Sequence, residues 1–128
     1  VNLSLEKVPA GSFYNAVSQR EKPLIFYVDS PWCPDPGYSM TLYFDSGSFV
    51  NYSNYENAEV DALLKIAAET ADEAIRLDAM GKAQEIVMDE APWTFVAYPN
   101  YTMARNIDVN GWTYYTSNNI RFQDFSKS

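Results

Sequence analysis

The sequence predicts an α/β fold, and three observations lead to this prediction. The first thirty residues change from a strand-like to a helix-like and back to a strand-like pattern. Two amphipathic helical patterns occupy the middle of the chain, and another apolar run follows them. The length of 128 residues suffices for one domain with a single core. We therefore expect a mixed sheet with flanking helices.

The first thirty residues contain the predicted strand–helix–strand unit. Residues 1–8, VNLSLEKV, alternate between apolar and polar side chains as a strand does. This alternation is already under way at the first residue, so we expect the chain to be a piece of a longer protein. Ser12 is a candidate N-cap for a short helix that Pro23 ends. Residues 24–29, LIFYVD, form a nearly continuous apolar run, which is typical of a strand buried on both faces.

The stretch after this run has an unusual composition. Residues 30–38, SPWCPDPGY, contain three prolines, one tryptophan and the single cysteine of the chain, a mixture that favours neither helix nor strand. Residues 39–44, SMTLYF, fit either a short helix or an extended segment. Residues 45–57 are rich in Ser, Asn, Gly and Tyr and predict a loop.

Two helices are predicted in the middle of the chain. Asn57 and Asp72 are good N-caps for helices at residues 58–71 and 73–91. The link between them is only a few residues long, so they should form an antiparallel pair. Gly81 either costs about 1 kcal/mol relative to alanine or allows close packing. The apolar positions expected to face the core are Val60, Leu63, Leu64, Ala67, Ile75, Ala79, Ala83, Ile86 and Val87.

The last third of the chain begins with a predicted buried strand. Pro92 ends the second helix, and residues 93–98, WTFVAY, are apolar and aromatic. Residues 101–128 contain short strand-like pieces that are broken by Asn–Gly and Ser–Asn–Asn turns. These pieces lack the apolar density of a core element. We expect this tail to pack against another surface, for which a missing part of the protein is a candidate.

Composition excludes several classes of function. The net charge of −8 argues against a nucleic-acid partner and disfavours binding to anionic lipid. The chain has no histidine and one cysteine, Cys33, so it cannot form a Ser–His–Asp or Cys–His catalytic group or a zinc site of His and Cys. No apolar run reaches about 18 residues, so no membrane span is predicted. We expect no cofactor.

The first candidate ligand site is formed by Trp32, Cys33 and Asp35. They follow a predicted buried strand, and ligands bind beyond the carboxyl ends of strands in open α/β sheets. Trp32 offers a rigid face for stacking, and Asp35 offers a charge for a cationic group. The structural alternative is a turn stiffened by Pro31, Pro34 and Pro36 whose tryptophan fills the core. On the isolated motif alone, that alternative is the better interpretation.

Three further groups have both a binding and a structural interpretation. Tyr52 and Tyr55 could stack on a sugar or a peptide, but packing on the core beside the cap Asn57 is the better interpretation. Three aspartates could form a glycosidase carboxylate pair or bind calcium, without matching an EF-hand loop: Asp29, Asp35 and Asp45. Three tail aromatics could form an exposed cluster or be ordinary strand residues: Trp112, Tyr114 and Tyr115.

The order of the motifs is more specific than any one of them. Trp-Cys-x-Asp with an Asp–Pro is followed by NYSNYENAEVDALL at residues 51–64. Next come an arginine-bearing helix that ends in Ala–Pro, then VNGW at residues 109–112 and IRF at residues 120–122. This order resembles the extracellular solute-binding proteins of family 5, the dipeptide and oligopeptide binders of ABC importers. The resemblance covers essentially the whole chain.

The resemblance implies an architecture. The fold would be similar to the type II periplasmic binding proteins, in which two lobes close around a ligand. Residues 1–100 would belong to the second, C-terminal lobe, and residues 101–128 would return to the first, N-terminal lobe, which is missing here. Trp32 and Cys33 would line the ligand cleft, and Asp35 would accept the α-amino group of a peptide. A carboxylate is the partner that a buried ammonium needs.

The resemblance also implies a function. The protein would be a binding component, not an enzyme, located in the periplasm or outside the cell at the cell envelope. It would deliver a peptide or another small polar solute to an ABC permease in the membrane. Two alternatives remain open: an oligosaccharide-binding carrier of the same fold, and a glycosidase that depends on a carboxylate pair.

Overall fold

A computed structural model describes residues 2–29, 32–100, 102–115 and 119–128 of the chain. In these ranges the regular structure is mainly helical, with one small sheet, which agrees with the predicted mixture of helices and strands at a coarse level. The helices are α1 (Phe13–Ser18), α2 (Pro36–Phe44), α3 (Ala58–Glu69) and α4 (Glu73–Glu90), and the strands are β1 (Val109–Asn110) and β2 (Ser126–Lys127). Predictions that concern Val1, Ser30, Pro31 and most of the Ser–Asn–Asn turn lie outside the described residues.

Helices α3 and α4 form the predicted antiparallel pair. The Asn57 side chain accepts hydrogen bonds from the Glu59 and Val60 amides, and Asp72 caps α4 in the same way through the Ala74 and Ile75 amides. These two predicted caps are therefore confirmed. Ser12 precedes α1 without a side-chain cap hydrogen bond, and α1 ends at Ser18, before Pro23. The Asn57 side chain also donates to the Glu90 carboxylate at 3.0 Å, which places the start of α3 beside the end of α4.

The hydrophobic core lies where α2, α3 and α4 meet. Its buried residues come from all three helices and from the loop before α3: Met40, Phe44, Tyr55, Val60, Leu64, Ala67, Ala79, Met80, Ala83 and Val87. The predicted stripe of α3 is correct. On α4, Met80 takes the place expected for Ile75, which is half exposed. Gly81 faces open space, so the close packing suggested for it does not occur.

Helix α2 resolves the segment that the sequence left open. It begins at Pro36, so the last three residues of SPWCPDPGY are the start of a helix. Asp35 is the N-cap and Pro36 is the first helical residue, a position that suits proline because its missing N–H has no intrahelical partner there. The expectation that this stretch avoids regular structure is therefore wrong for its last three residues.

The three long strands, one predicted from an alternating pattern and two from apolar runs, do not form. Residues 2–8, 24–29 and 93–98 are in neither helix nor strand. In the second run Leu24, Phe26 and Val28 are 74%, 76% and 68% exposed. A strand needs a neighbour for its backbone hydrogen bonds, and the described residues form only one strand pair, β1 with β2. An apolar run by itself therefore did not produce a sheet here.

The tail forms a small antiparallel pairing. Val109 lies opposite Lys127, and Asn110 lies opposite Ser126. Gly111 follows with a φ of +84°, a conformation that glycine adopts readily, so the predicted Asn–Gly break occurs at this position. The expectation that this tail joins another lobe stays a prediction.

Candidate functional site

The start of α2 brings two elements together at Asp35. The Asp35 Oδ1 accepts a hydrogen bond from the Tyr38 amide at 3.1 Å, as an N-cap side chain does. Its Oδ2 accepts from Arg76 Nη1 at 3.2 Å. Since Arg76 lies in the first turns of α4, this ion pair joins the beginnings of α2 and α4. Both side chains remain partly exposed, so the carboxylate and the guanidinium face solvent.

The charge of Asp35 is stabilised by these contacts. The Tyr38 amide lowers the pKa of the Asp35 carboxyl below its ordinary value of 3.8, and the Arg76 guanidinium and the Gly37 amide act in the same direction. Partial desolvation opposes them and raises the pKa. The net result is a lowered pKa, so Asp35 is ionised near neutral pH.

The other two predicted site residues, Trp32 and Cys33, are exposed. Trp32 is 83% exposed, and Cys33 is an exposed free thiol. The structural alternative, in which the tryptophan fills the core, is therefore wrong. The Trp32 ring is accessible to a binding partner, whereas only Asp35 of the three predicted residues lines the groove between the helices. The predicted ligand role of the three residues stays a prediction.

A groove of about 520 Å³ runs between α2, α3 and α4. Asp35 and Arg76 lie at the end near the start of α2, and Asp45 lies at the other end of that helix. Buried Leu64, Ala67 and Met80 form its apolar floor. The remaining lining residues come from α2, the following loop and α3: Gly37, Tyr38, Thr41, Leu42, Gly47, Ser48 and Ala68.

The sequence did not predict that Arg76 pairs with Asp35, and it did not predict the groove. A signal for the position of Asp35 was present, because an aspartate followed by proline is a common start of a helix. Arg76 had no comparable signal. Its pairing depends on how α2 packs against α4, and that contact joins residues 41 positions apart.

The loop before α3 has the structural role favoured from the sequence. Tyr52 and Tyr55 are buried, and Asn57 caps α3. The missed residue is Asn51, whose side chain is buried and donates to the Asp45 and Tyr55 carbonyls while accepting from the Tyr55 amide. Asn51 therefore fixes the loop between α2 and α3.

The three aspartates have different partners. Asp29 accepts from the Tyr43 hydroxyl, Asp35 pairs with Arg76, and the Asp45 side chain accepts from the Gly47 amide. Across the described ranges, no group of three or more His, Cys, Asp or Glu side chains is placed to hold a metal ion. Each of the three carboxylates thus has a structural partner within the chain.

Two groups of aromatic residues lie outside the groove. Trp93 lies at the centre of a cluster with Tyr27, Tyr43, Phe44 and Phe95, at ring-centroid distances of 4.9–6.4 Å. In the tail, Trp112 and Tyr115 are partly buried, whereas Tyr114 is 50% exposed. The Arg121 guanidinium lies 5.5 Å from the Tyr115 ring centroid. Residues 111–115 follow β1 and are in no strand, so the interpretation of these aromatics as ordinary strand residues is wrong.

Within the ranges that the structure describes, no helix combines the length and the apolar character needed to cross a membrane. No known protein-family profile matches the chain, and no solved structure matches it. Three curated proteins do match.

The chain is 33% identical over 115 residues to the probable D,D-dipeptide-binding periplasmic protein DdpA of Escherichia coli. This match covers 88% of this chain and 22% of that protein. It is 29% identical over 113 residues to the dipeptide-binding protein DppE of Bacillus subtilis, covering 86% of this chain and 21% of the relative. The oligopeptide-binding protein AppA of Bacillus subtilis is 30% identical over 71 residues, or 56% of this chain and 13% of the relative.

The chain spans about a fifth or less of the length of these curated relatives. All three relatives have the names of binding proteins, and each name specifies a dipeptide or an oligopeptide. The chain is therefore related in sequence to the dipeptide- and oligopeptide-binding proteins of solute-binding family 5, as the order of its motifs predicted.

Proposed function

We propose that this chain is part of the substrate-binding component of an ABC importer, which binds peptides between two lobes and delivers them to a membrane permease. The observation that carries the proposal is the 33% identity over 115 residues to a protein named for dipeptide binding. The location would be periplasmic or extracellular, at the cell envelope, and the role would be binding without catalysis.

The proposed ligand contacts are Trp32, Cys33 and Asp35. An ionised carboxylate has about four acceptor positions, and the Tyr38 amide, Arg76 and the Gly37 amide all interact with Asp35. A remaining position can accept a hydrogen bond from the ammonium group of a peptide. The exposed ring of Trp32 can contact the peptide from one side, with Cys33 between these two residues.

The proposed second lobe contains residues 1–100, and residues 101–128 would return to the first lobe. Support comes from the alternate exposed side chains of Leu24, Phe26 and Val28. A contiguous exposed apolar face favours contact with another protein surface, because covering it removes apolar area from water. The rest of a two-lobed protein is the partner that the length of the relatives suggests.

The accessible ring of Trp32 also supports a second candidate, an oligosaccharide-binding carrier of the same fold. Sugar rings stack on exposed aromatic faces, so a tryptophan at the lip of a cleft suits either ligand class. The carboxylate of Asp35 favours the peptide, since a neutral sugar has no cationic group for it to pair with.

The test uses a chimera in which this chain replaces the segment that it matches in the dipeptide-binding protein DppE. Isothermal titration with dipeptides and with disaccharides then measures both candidates on one folded protein. We expect dipeptide binding that is weakened in Asp35→Asn, which keeps a capping side chain but removes the charge. The matched control is Asp72→Asn, which makes the same change at the cap of α4, outside the groove.

Three outcomes are informative. Dipeptide binding that depends on Asp35 supports the proposal. A chimera that unfolds cooperatively on heating but binds only disaccharides favours the second candidate. A cooperatively folded chimera that binds neither ligand, beside a DppE parent that binds dipeptides, contradicts both. On its own, the 128-residue chain should bind dipeptides weakly or not at all, and micromolar affinity there would contradict a site shared between two lobes.

A further inference from the structure

We infer that the groove between α2, α3 and α4 holds the side chain of the first residue of the bound peptide and selects a large apolar one. This inference rests on the proposed function, because it assumes that Asp35 binds the ammonium group. The inference adds which side chain the site selects. Met80, Leu64 and Leu42 would set this selection because they line the groove.

The floor of the groove is apolar and fixed in place. Leu64 and Met80 are 2% and 5% exposed, so most of each side chain is held in the core. Leu42 and Ala67 extend the same lining. A volume of about 520 Å³ lies inside the range of roughly 300–1,000 Å³ that small-molecule clefts have. The groove therefore offers a preformed apolar surface to a ligand group of moderate size.

The carboxylate and the apolar floor meet at one end of the groove. A Cβ atom placed on Gly37 would lie 2.9 Å from Asp35 Oδ1 and 3.8 Å from Met80 Sδ. The charged atom and the sulfur are thus both close to the same point on α2. In a peptide, the ammonium nitrogen and the first side chain are attached to the same Cα. An ammonium group bound to Asp35 therefore brings the first side chain to the floor beside Met80.

The charges around the groove favour a cationic over an anionic occupant. Asp35 and Asp45 contribute two negative charges, and Arg76 contributes one positive charge. An ammonium group is attracted to this lining, whereas a glutamate or aspartate side chain would meet Asp45 at the far end. The charges therefore disfavour an acidic first residue, and the apolar floor of Leu64 and Met80 favours a large apolar one such as leucine or phenylalanine.

The groove can be tested in the 128-residue chain with leucinamide as the probe. Leucinamide has the ammonium group and the leucine side chain but no carboxylate, and glycinamide is the control without a side chain. With ¹³C-methyl methionine labelling, we expect leucinamide to shift the Met80 methyl signal and to leave Met88 unchanged, since Met88 is exposed on α4 outside the groove. Equal shifts from glycinamide, or equal shifts at both methionines, would overturn the inference.

A matched pair of variants locates the effect. Ala68 and Ala62 are both exposed on α3, but only Ala68 lines the groove. Ala68→Phe should therefore abolish the shift at Met80, and Ala62→Phe should leave it intact. The inference is overturned if Ala68→Phe keeps the full shift while both variants show the circular dichroism of the unaltered chain.

The chimera separates this inference from the proposed function. We expect Leu-Ala to bind about tenfold more tightly than Ala-Ala, with Glu-Ala weaker than both, because added methylene groups in an apolar pocket give about this discrimination or more. Equal affinities for the three dipeptides contradict the selective groove and leave the proposed function standing. Loss of all dipeptide binding, together with the expected leucinamide shift in the chain, counts against the proposed function and supports the groove.

Discussion

At the scale of single residues, Asp35 caps a helix and pairs with Arg76, and only the first of these roles could be predicted from the sequence. It was predicted as a ligand residue, and the structure gives it a helix cap and an ion pair with Arg76. The local role was readable from the Asp–Pro sequence, as the caps Asn57 and Asp72 were from their own sequences. The ion pair was not readable, because it depends on packing between two helices.

Asp35 should make stability depend on pH in the acid range. Because the folded state lowers the pKa of Asp35 below 3.8, its contribution is fully present above that value and is lost as the pH falls through the folded pKa. We expect Asp35→Ala to lower the urea midpoint more than Asp35→Asn at pH 7, since asparagine can still cap α2. The measurement is urea unfolding by circular dichroism at pH 7 and in steps below pH 4.

As the pH falls below 4, the difference between the unaltered chain and Asp35→Asn should shrink, because the carboxyl becomes neutral. Glu69→Gln is the control for removal of an exposed carboxylate. Glu69 Oε1 lies 3.9 Å from Lys65 Nζ of the same helix, so this pair does not join two helices. A difference that stays constant from pH 7 to pH 2 would show that the charge of Asp35 does not stabilise the fold.

At the scale of elements, helices were predicted far better than strands. A helix depends on local caps and on a periodic apolar face, so the antiparallel pair α3–α4 followed from one continuous stretch of sequence. A strand depends on a neighbour, and residues 24–29 and 93–98 have no ladder partner in the part of the chain that is described. The apolar runs at residues 24–29 and 93–98 therefore predicted neither the element nor the burial correctly, since Phe26 and Val96 are 76% and 68% exposed.

Replacing Gly81 with alanine should stabilise α4. The glycine lies in the helix interior, and an added Cβ would meet no atom within 4 Å. The gain in the free energy of unfolding should be about 1 kcal/mol, the difference in helix propensity between the two residues. Urea unfolding of the variant measures it.

Gly111→Ala is the contrasting control. Gly111 has a φ of +84°, and a Cβ atom there would lie 1.9 Å from the Asp124 carbonyl oxygen. This substitution should disrupt the pairing of β1 with β2 and leave the helices intact. If Gly81→Ala lowers the stability of the chain, the open surroundings described for Gly81 are wrong.

At the scale of the whole molecule, the apolar residues are divided between a helical core and an exposed face. The helical core is complete around α2, α3 and α4, whereas Leu24, Phe26 and Val28 face solvent. The neighbouring Tyr27 points the other way and contacts Phe13, Tyr52 and Trp93. Residues 24–28 therefore have one side that packs within the chain and one side that is available to a partner.

Substitutions on the two sides of this segment should differ in how much they change stability. In the isolated chain, Phe26→Ser should change the free energy of unfolding by less than about 0.5 kcal/mol, as exposed positions usually do. Tyr27→Ala should destabilise it, because three aromatic contacts are lost. Urea unfolding measures both.

In the chimera with DppE, Phe26→Ser should cost more stability than in the isolated chain, because the proposed partner surface would cover the ring. An equal and small effect in both proteins would mean that this face stays in water, and the proposed contact with the rest of a two-lobed protein would then be wrong.

The position of Glu90 has a consequence for how the helical core opens. A carboxylate at the carboxyl end of a helix is unfavourable for the helix dipole, so α4 gains nothing locally from this residue. Glu90 instead accepts hydrogen bonds from Tyr55 and from Asn57, the residue that caps α3. Fraying of the last turn of α4 therefore removes a support from the first turn of α3. These two helix ends should open as one cooperative unit, while the opposite ends, joined through residues 70–72, can fray separately.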